Sequence, residues 1–374
     1  MLFPFLCLLR NNTSKVILVL TVIKISVFSL LFGMVSIAAT PEWEALEKSG
    51  RWKVLRTRVE SKLKANPRDG EALFWRSKVL LAFGKTEESY KAAKESVQLI
   101  PQSTDALAQL AASAGMMAGR ASVLKKMSYA TECRDAGVKA LGLDPKNRLA
   151  LEVMVNFYQQ APSVIGGDKA KADNCRATLE SIEPEIKTQL ALREAFGSKD
   201  AARIDAAIKQ AIQKHPKAAW PFLRAAQFAL DKMPWKPQDV QAYANKALEN
   251  DPYSARAYGY LAQAYAAESK WGELDATLSK AEKALPENLY PHYLAAVLLI
   301  SASVEPKRAE TLLRRYLGQE PEARAPSWGN ARWRLGLALE QQGDKAGALK
   351  ELKEASRLLP KDKNVAADLK RLGG

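Results

Sequence analysis

An all-α fold built from repeated helix–turn–helix units is predicted by three observations on the sequence. Prolines recur at a near-constant interval, at Pro67, Pro101, Pro145, Pro184, Pro216, Pro252, Pro286, Pro321 and Pro360. The gaps are 34, 44, 39, 32, 36, 34, 35 and 39 residues, around the 34-residue period of a two-helix repeat. Each proline closes a stretch rich in Ala, Leu, Lys and Glu, which are strong helix formers, and proline ends a helix because it lacks the amide donor. Small and large apolar residues alternate at helical spacing inside the units.

The first 39 residues differ from the rest. They carry Arg10, Lys15 and Lys24, no acid, and an apolar run from Ile25 to Ile37 that ends in Ser36-Ile37-Ala38-Ala39. A basic start, an apolar centre and a small-residue exit describe a secretory signal, with cleavage expected near Ala38 or Ala39. The alternative is an uncleaved anchor over Val16–Ala39, long enough to span a bilayer but with Lys24 in its middle. Removing the segment leaves 53 Lys and Arg against 41 acids, a net charge of about +12.

Residues 41–67 form a leading hairpin or half-repeat, 68–360 hold eight helix pairs, and 361–374 form a closing helix. The clearest unit is NARWRLGLALEQQGDKAGALKELKEASRLLP, Asn330 to Pro360. Leu335, Gly336 and Leu339 share one face of its first helix, Gly343-Asp344 makes the turn, and Ala348, Leu352 and Ala355 recur on the second. In the unit ending at Pro101, Ser77, Ser89, Ala93 and Ser96 take the small positions and Gly84 the turn. The unit ending at Pro286 matches at Leu261, Ala262, Tyr265 and Ala281, but Leu274 stands where a small residue is usual. Two units are longer: one contains LAASAGMMAGRA, Leu110 to Ala121, and the next APSVIGGDKAKA, Ala161 to Ala172. Lys363, Asp368, Lys370 and Arg371 give the closing helix the polar outer face that a repeat array needs at its end.

This pattern resembles the tetratricopeptide repeat, which implies a right-handed α-solenoid with a concave inner surface. Residues 104–184 also look like some exported bacterial repeat proteins and the regulator-of-microtubule-dynamics proteins. By that resemblance certain first-helix positions face inward: Phe74 and Lys78, Arg256 and Gln263, Trp333 and Glu340. The family's two-carboxylate clamp needs Lys and Asn at positions that read Phe74/Lys78, Gly259/Gln263 and Trp333/Leu337 here, which argues against clamp function.

Catalytic and metal chemistry finds no support. The two histidines, His215 and His292, stand alone beside prolines, and no HExxH, CxxC, GxSxG or P-loop motif occurs. Gly166-Gly167 before a helix is read as a tight loop with Asp168 as N-cap, the alternative being an anion site assisted by Lys169. Basic residues are spread through all repeats with no long run, which argues against nucleic acid. Cys133 and Cys175 sit in successive repeats, where an oxidising compartment would allow one disulfide; the alternative is two small buried thiols. The expectation is a non-catalytic scaffold with no cofactor, periplasmic or secreted, holding a protein or peptide in its groove. The alternatives are an adaptor anchored in the inner membrane, or an enzyme accessory module with a small-ligand site near Gly166-Gly167.

Overall fold

The computed structural model describes residues 40–232 and 234–373. The segment read as an export signal lies outside them. Among the described residues there are 19 α-helices and no strand, which makes this an all-α helical repeat fold. Two units separate, ending at Lys48 and beginning at Ser49. The first contributes one described helix, α1 (Thr40–Lys48).

The second unit begins with α2 (Trp52–Ala65) and continues in eight helix pairs. These are α3 (Gly70–Ala82) with α4 (Thr86–Leu99), α5 (Thr104–Arg120) with α6 (Val123–Leu143), α7 (Arg148–Gln160) with α8 (Lys169–Ile182), and α9 (Pro184–Ser198) with α10 (Ala201–Lys214). Then come α11 (Ala219–Asp231) with α12 (Pro237–Asn250), α13 (Ala255–Ala267) with α14 (Trp271–Ala284), α15 (Tyr290–Ser301) with α16 (Pro306–Leu317), and α17 (Trp328–Gln341) with α18 (Lys345–Leu358). The last helix is α19 (Lys363–Arg371).

The sequence punctuates these units with one recurring device. Two residues after five of the nine repeat-ending prolines stands a side-chain N-cap: Asp69 accepts from the Ala72 amide at 2.9 Å, Asn147 from Ala150 at 2.9 Å, and Asp362 from Asn364 at 2.9 Å. Ser103 and Ser254 cap α5 and α13 in the same way. The proline stops one helix and the cap satisfies an otherwise orphaned amide of the next, each cap contributing about 1 kcal/mol. Inside several pairs, the turn uses a left-handed residue. Gly84 (φ 76°) and Gly343 (φ 81°) supply it freely, whereas Ser269 and Ser303 (both φ 54°) adopt it against the clash of their own Cβ.

Close approach of the paired helices rests on small residues. Ala93, Ala348 and Ala355 are fully buried, as are Ser77, Ser89 and Ser96. Serine at such positions must find partners, since a buried hydroxyl without one is costly. Ser96 Oγ donates to the Gly70 carbonyl at 2.6 Å, and Ser77, Ser89 and Ser113 form a triangle of 3.0–3.3 Å joined by Gln109. Leu274, at the usually small position of its repeat, is fully buried in the largest core cluster beside Leu299, Leu313 and Leu335. The first helices of neighbouring pairs also pack on one another in two runs, α3 on α5 and α5 on α7, then α11 on α13, α13 on α15 and α15 on α17.

Candidate partner-binding surface

The six residues read as inward-facing fall into distinct environments. Phe74 is buried, edge-on to Trp75, and Lys78 lays its ammonium over both rings at 5.3 and 4.6 Å. Trp333 donates from its indole to Asp368 at 2.8 Å, and Glu340 is gripped by Arg371, so both are held by α19. Arg256 is exposed and Gln263 half-buried.

Around Arg256 the structure assembles a wider constellation. Arg224 on α11 and Arg256 on α13 both act on the buried Tyr260 phenol, which burial pushes up to about 12 against the pull of these two cations. Tyr290 on α15 also sits within the field of Arg256, and burial raises it too. Tyr290 stacks with Tyr293 at 6.4 Å, and Tyr293 hydrogen bonds with Arg334 on α17. Arg224 lies over Phe196 at 5.8 Å and Arg334 over Trp333 at 4.1 Å.

None of Arg224, Arg256 and Arg334 joins an ion pair among the described residues, whereas Arg308, Arg315 and Arg332 are each paired with a carboxylate. The first helices α9 to α17 thus carry a stripe of unneutralised guanidinium and aromatic surface. Such a stripe offers charge-assisted hydrogen bonds and planar stacking to an incoming chain. Arg224 and Tyr290 were missed from the sequence, although their spacing of 32 and 34 residues from Arg256 is a legible signal.

The Gly166-Gly167 loop is closed on itself. The Gly166 amide donates to Ser163 O at 2.9 Å, Gly167 to Pro162 O at 3.0 Å, and Asp168 to Tyr158 O at 3.0 Å. A Cβ on Gly167 would lie 1.7 Å from Ala161 O. Asp168 accepts from the Lys171 amide at 3.1 Å. The amides of both glycines and of Asp168 are thus used within the loop.

The lengthened unit does create a cleft beside that loop. Helices α5 and α6 run 17 and 21 residues, against 12 to 15 in the pairs from α9 onward. Their extension, with α7 and residues 161–165, frames an open cleft of about 810 Å³. Gly115, Gly119, Met116, Met127, Val153 and Phe157 line it, Lys126 is its one charged residue, and the thiol of Cys133 borders it.

Cys133 and Cys175 are free thiols in this structure. Cys133 is buried and its thiol is pushed up to about 11 by that burial. His215 bonds Thr188 at 3.1 Å and lies against Trp220, and His292 bonds Glu282 at 2.9 Å. Both are packing residues at repeat borders. Among the described residues no cluster of His, Cys, Asp and Glu could hold a metal, and no helix is long and apolar enough to cross a membrane.

Residues 304–363 match the tetratricopeptide repeat family model. Comparison with curated proteins gives no match. Among solved structures, yeast Tom70 superposes with a TM-score of 0.45 at 13% identity over 89% of this chain and 80% of that one. A tetratricopeptide repeat protein of Parabacteroides merdae gives 0.37 at 16% identity over 82% and 99%. PilW, a type IV pilus biogenesis factor, gives 0.36 at 16% over 70% and 99%.

Proposed function

We propose that this chain, which carries tetratricopeptide repeats, is a non-catalytic scaffold of the cell envelope that holds a protein or peptide partner along its first helices. The observation that carries the reading is the unpaired stripe of Arg224, Arg256 and Arg334 set among Tyr260, Tyr290, Tyr293 and Trp333. Arginines left without carboxylate partners favour a partner segment that brings its own acceptors. The half-buried Tyr290 and Trp333 beside them favour a peptide with apolar anchors. The basic start, apolar centre and Ala38-Ala39 exit of the first 39 residues support export.

The test is capture from the native host with a tag at the C-terminus, followed by mass spectrometry of bait and prey. A stoichiometric protein retained by wild type and by Arg308→Ala, but lost from Arg224→Ala and Arg256→Ala, is the expected result. Equal retention by all variants would remove the stripe from the binding surface. A bait that begins near Ala39 supports export, and one that keeps Val16–Ala39 in the membrane fraction supports the anchored alternative.

The 810 Å³ cleft favours a second reading, a small apolar ligand held beside the Gly166-Gly167 loop. Native mass spectrometry of the purified chain tests it: a bound mass lost on Gly119→Leu supports this ligand role.

A further inference from the structure

The start of the second unit touches residues more than 200 positions away. Three inter-repeat loops present themselves at the repeat period: Tyr253, Glu287 and the stretch Glu320–Arg324. Arg51 bonds Glu287 at 2.6 Å and lies over Tyr253 at 5.5 Å. The Lys53 ammonium donates to the carbonyls of Glu287 and Glu320, both at 2.7 Å, bridging two successive loops. Arg56 grips the Glu320 carboxylate, and Arg324 covers the ring of Trp52 at 5.5 Å. Helix α2 has no side-chain cap of its own; the Glu322 carboxylate accepts its Lys53 amide at 3.1 and 3.3 Å.

We propose that this contact is a pH-governed latch: α2 docks on and lifts from the three loops, and it holds fully only when the Glu322 carboxyl carries a proton. The loop side is built in advance. The Tyr316 hydroxyl donates to Pro326 O at 2.6 Å, the Trp328 indole to Gln319 O at 3.1 Å, and the Ala325 amide to Glu322 O at 3.0 Å. Helix α2 meets these loops through polar side chains, while its Leu55, Val59 and Leu63 are buried and the helix stays packed on α3.

Glu322 is the weak point of the closed state. It is 4% exposed and its side chain accepts only two backbone amides, those of Lys53 and of Ala323 at 2.8 Å. Every cation around it is engaged elsewhere: Lys53 with two carbonyls, Arg51 with Glu287, Arg56 with Glu320, Arg324 with the Trp52 face. The carboxylates of Glu287 and Glu320 add negative charge nearby. Burial therefore pushes Glu322 up to about 7, and the Glu287 charge adds to it, against the two amides and the Lys53 charge. With α2 lifted, the same carboxyl stands in water and titrates near the ordinary 4.5.

The closed state therefore binds its proton more tightly than the open one. Closure is fully favoured below the ordinary carboxylate range and is lost progressively as pH rises through 7. The closing equilibrium changes by roughly a hundredfold across that window. A neutral carboxyl still accepts the Lys53 amide through its carbonyl oxygen, so protonation keeps the cap.

Global unfolding is a poor readout. His292, buried and held below its usual range chiefly by burial, destabilises the fold in acid and works in the opposite direction. The test is local: hydrogen exchange of the full chain at pH 5.5 and 8.0, corrected for intrinsic rates, followed in peptides over 50–60 and in a control peptide within α18. In wild type, protection of 50–60 is expected to fall at least tenfold from pH 5.5 to 8.0 while α18 is unchanged. Glu322→Gln, neutral at both, should keep full protection at both. Arg324→Ala, which weakens docking and leaves the carboxyl in place, should lower protection at both values with the pH response retained. A flat wild-type response, or a Glu322→Gln response equal to wild type, overturns the latch. Should Glu322→Gln not fold, the wild-type response and its retention in Arg324→Ala decide.

Discussion

The Trp333 indole donates to the Asp368 carboxylate at 2.8 Å, and this bond ties α17 to the final helix. The same helix sends Arg371 to Glu340, one turn-pair further along α17. Two of the six residues read as groove-lining are thus held by the chain's own end. Arg334, stacked on the Trp333 ring at 4.1 Å, carries the stripe up to that end.

Trp333→Ala is therefore expected to act on stability. It removes a half-buried indole, its bond to Asp368 and the support under Arg334. A loss of about 2–3 kcal/mol is expected, below the range for a fully buried aromatic. Arg256, exposed and unpaired, should cost less than about 0.5 kcal/mol when replaced by Ala. Urea unfolding of the two variants checks this. Equal costs would mean that Arg256 is built into the fold.

The left-handed turn residues give a gain. Ser303 sits at φ 54° in the turn between α15 and α16, where Gly84 and Gly343 serve the equivalent turns. Ser303→Gly removes the Cβ clash and is expected to stabilise by about 0.5–1 kcal/mol. The same change at Gly343 in reverse, Gly343→Ser, should destabilise by a similar amount. A fall in the thermal midpoint of Ser303→Gly would show that its side chain is held by contacts that outweigh the strain.

Much of this architecture was legible because its causes are local. The Pro-x-cap device at Pro67-Arg68-Asp69, Pro145-Lys146-Asn147 and Pro360-Lys361-Asp362 marks those borders within three residues, and glycine marks two of the turns. Serine at the small positions announced close helix contact at Ser77 and Ser89. The contact between Lys53 and Glu322 has no such signal, because it depends on the rotation summed over seven helix pairs. Its only local trace is Glu after the repeat-ending proline, at Pro286-Glu287 and Pro321-Glu322. The cleft beside Phe157 was foreshadowed only as ten extra residues, since their lengthening of α5 and α6 is a matter of three-dimensional overhang.

The glycine pair makes a sharp case. Gly167 approaches Ala161 O so closely that even a methyl group cannot enter without moving the backbone. Gly167→Ala is expected to cost about 3 kcal/mol or more, in the range of overpacking and backbone strain combined. Lys169→Ala, exposed at the start of α8, should cost less than about 0.5 kcal/mol. Added phosphate should not raise the thermal midpoint of wild type, because binding only to the native state would do so by mass action. A rise of several degrees at millimolar phosphate would support an anion site at this loop.

The two thiols should differ in reactivity for one physical reason. Reaction with iodoacetamide needs the thiolate, and burial disfavours that charge. Cys133 is almost fully enclosed against α5, its thiol pushed up to about 11, while Cys175 is half-buried on α8 and raised less. At pH 8 in native buffer, Cys175 should therefore be alkylated first, and Cys133 only on the timescale of unfolding. Urea should equalise them. Both pack into the same cluster around Met154, so a shared environment does not predict the order; the difference in enclosure does. If Cys133 reacts as fast as Cys175 in the native protein, the wall between α5 and α6 opens readily, and the cleft that Cys133 borders is then a dynamic one. Peptide mapping at early times distinguishes the two outcomes, and a non-reducing gel of the oxidised protein shows whether an opened Cys133 can reach its neighbour.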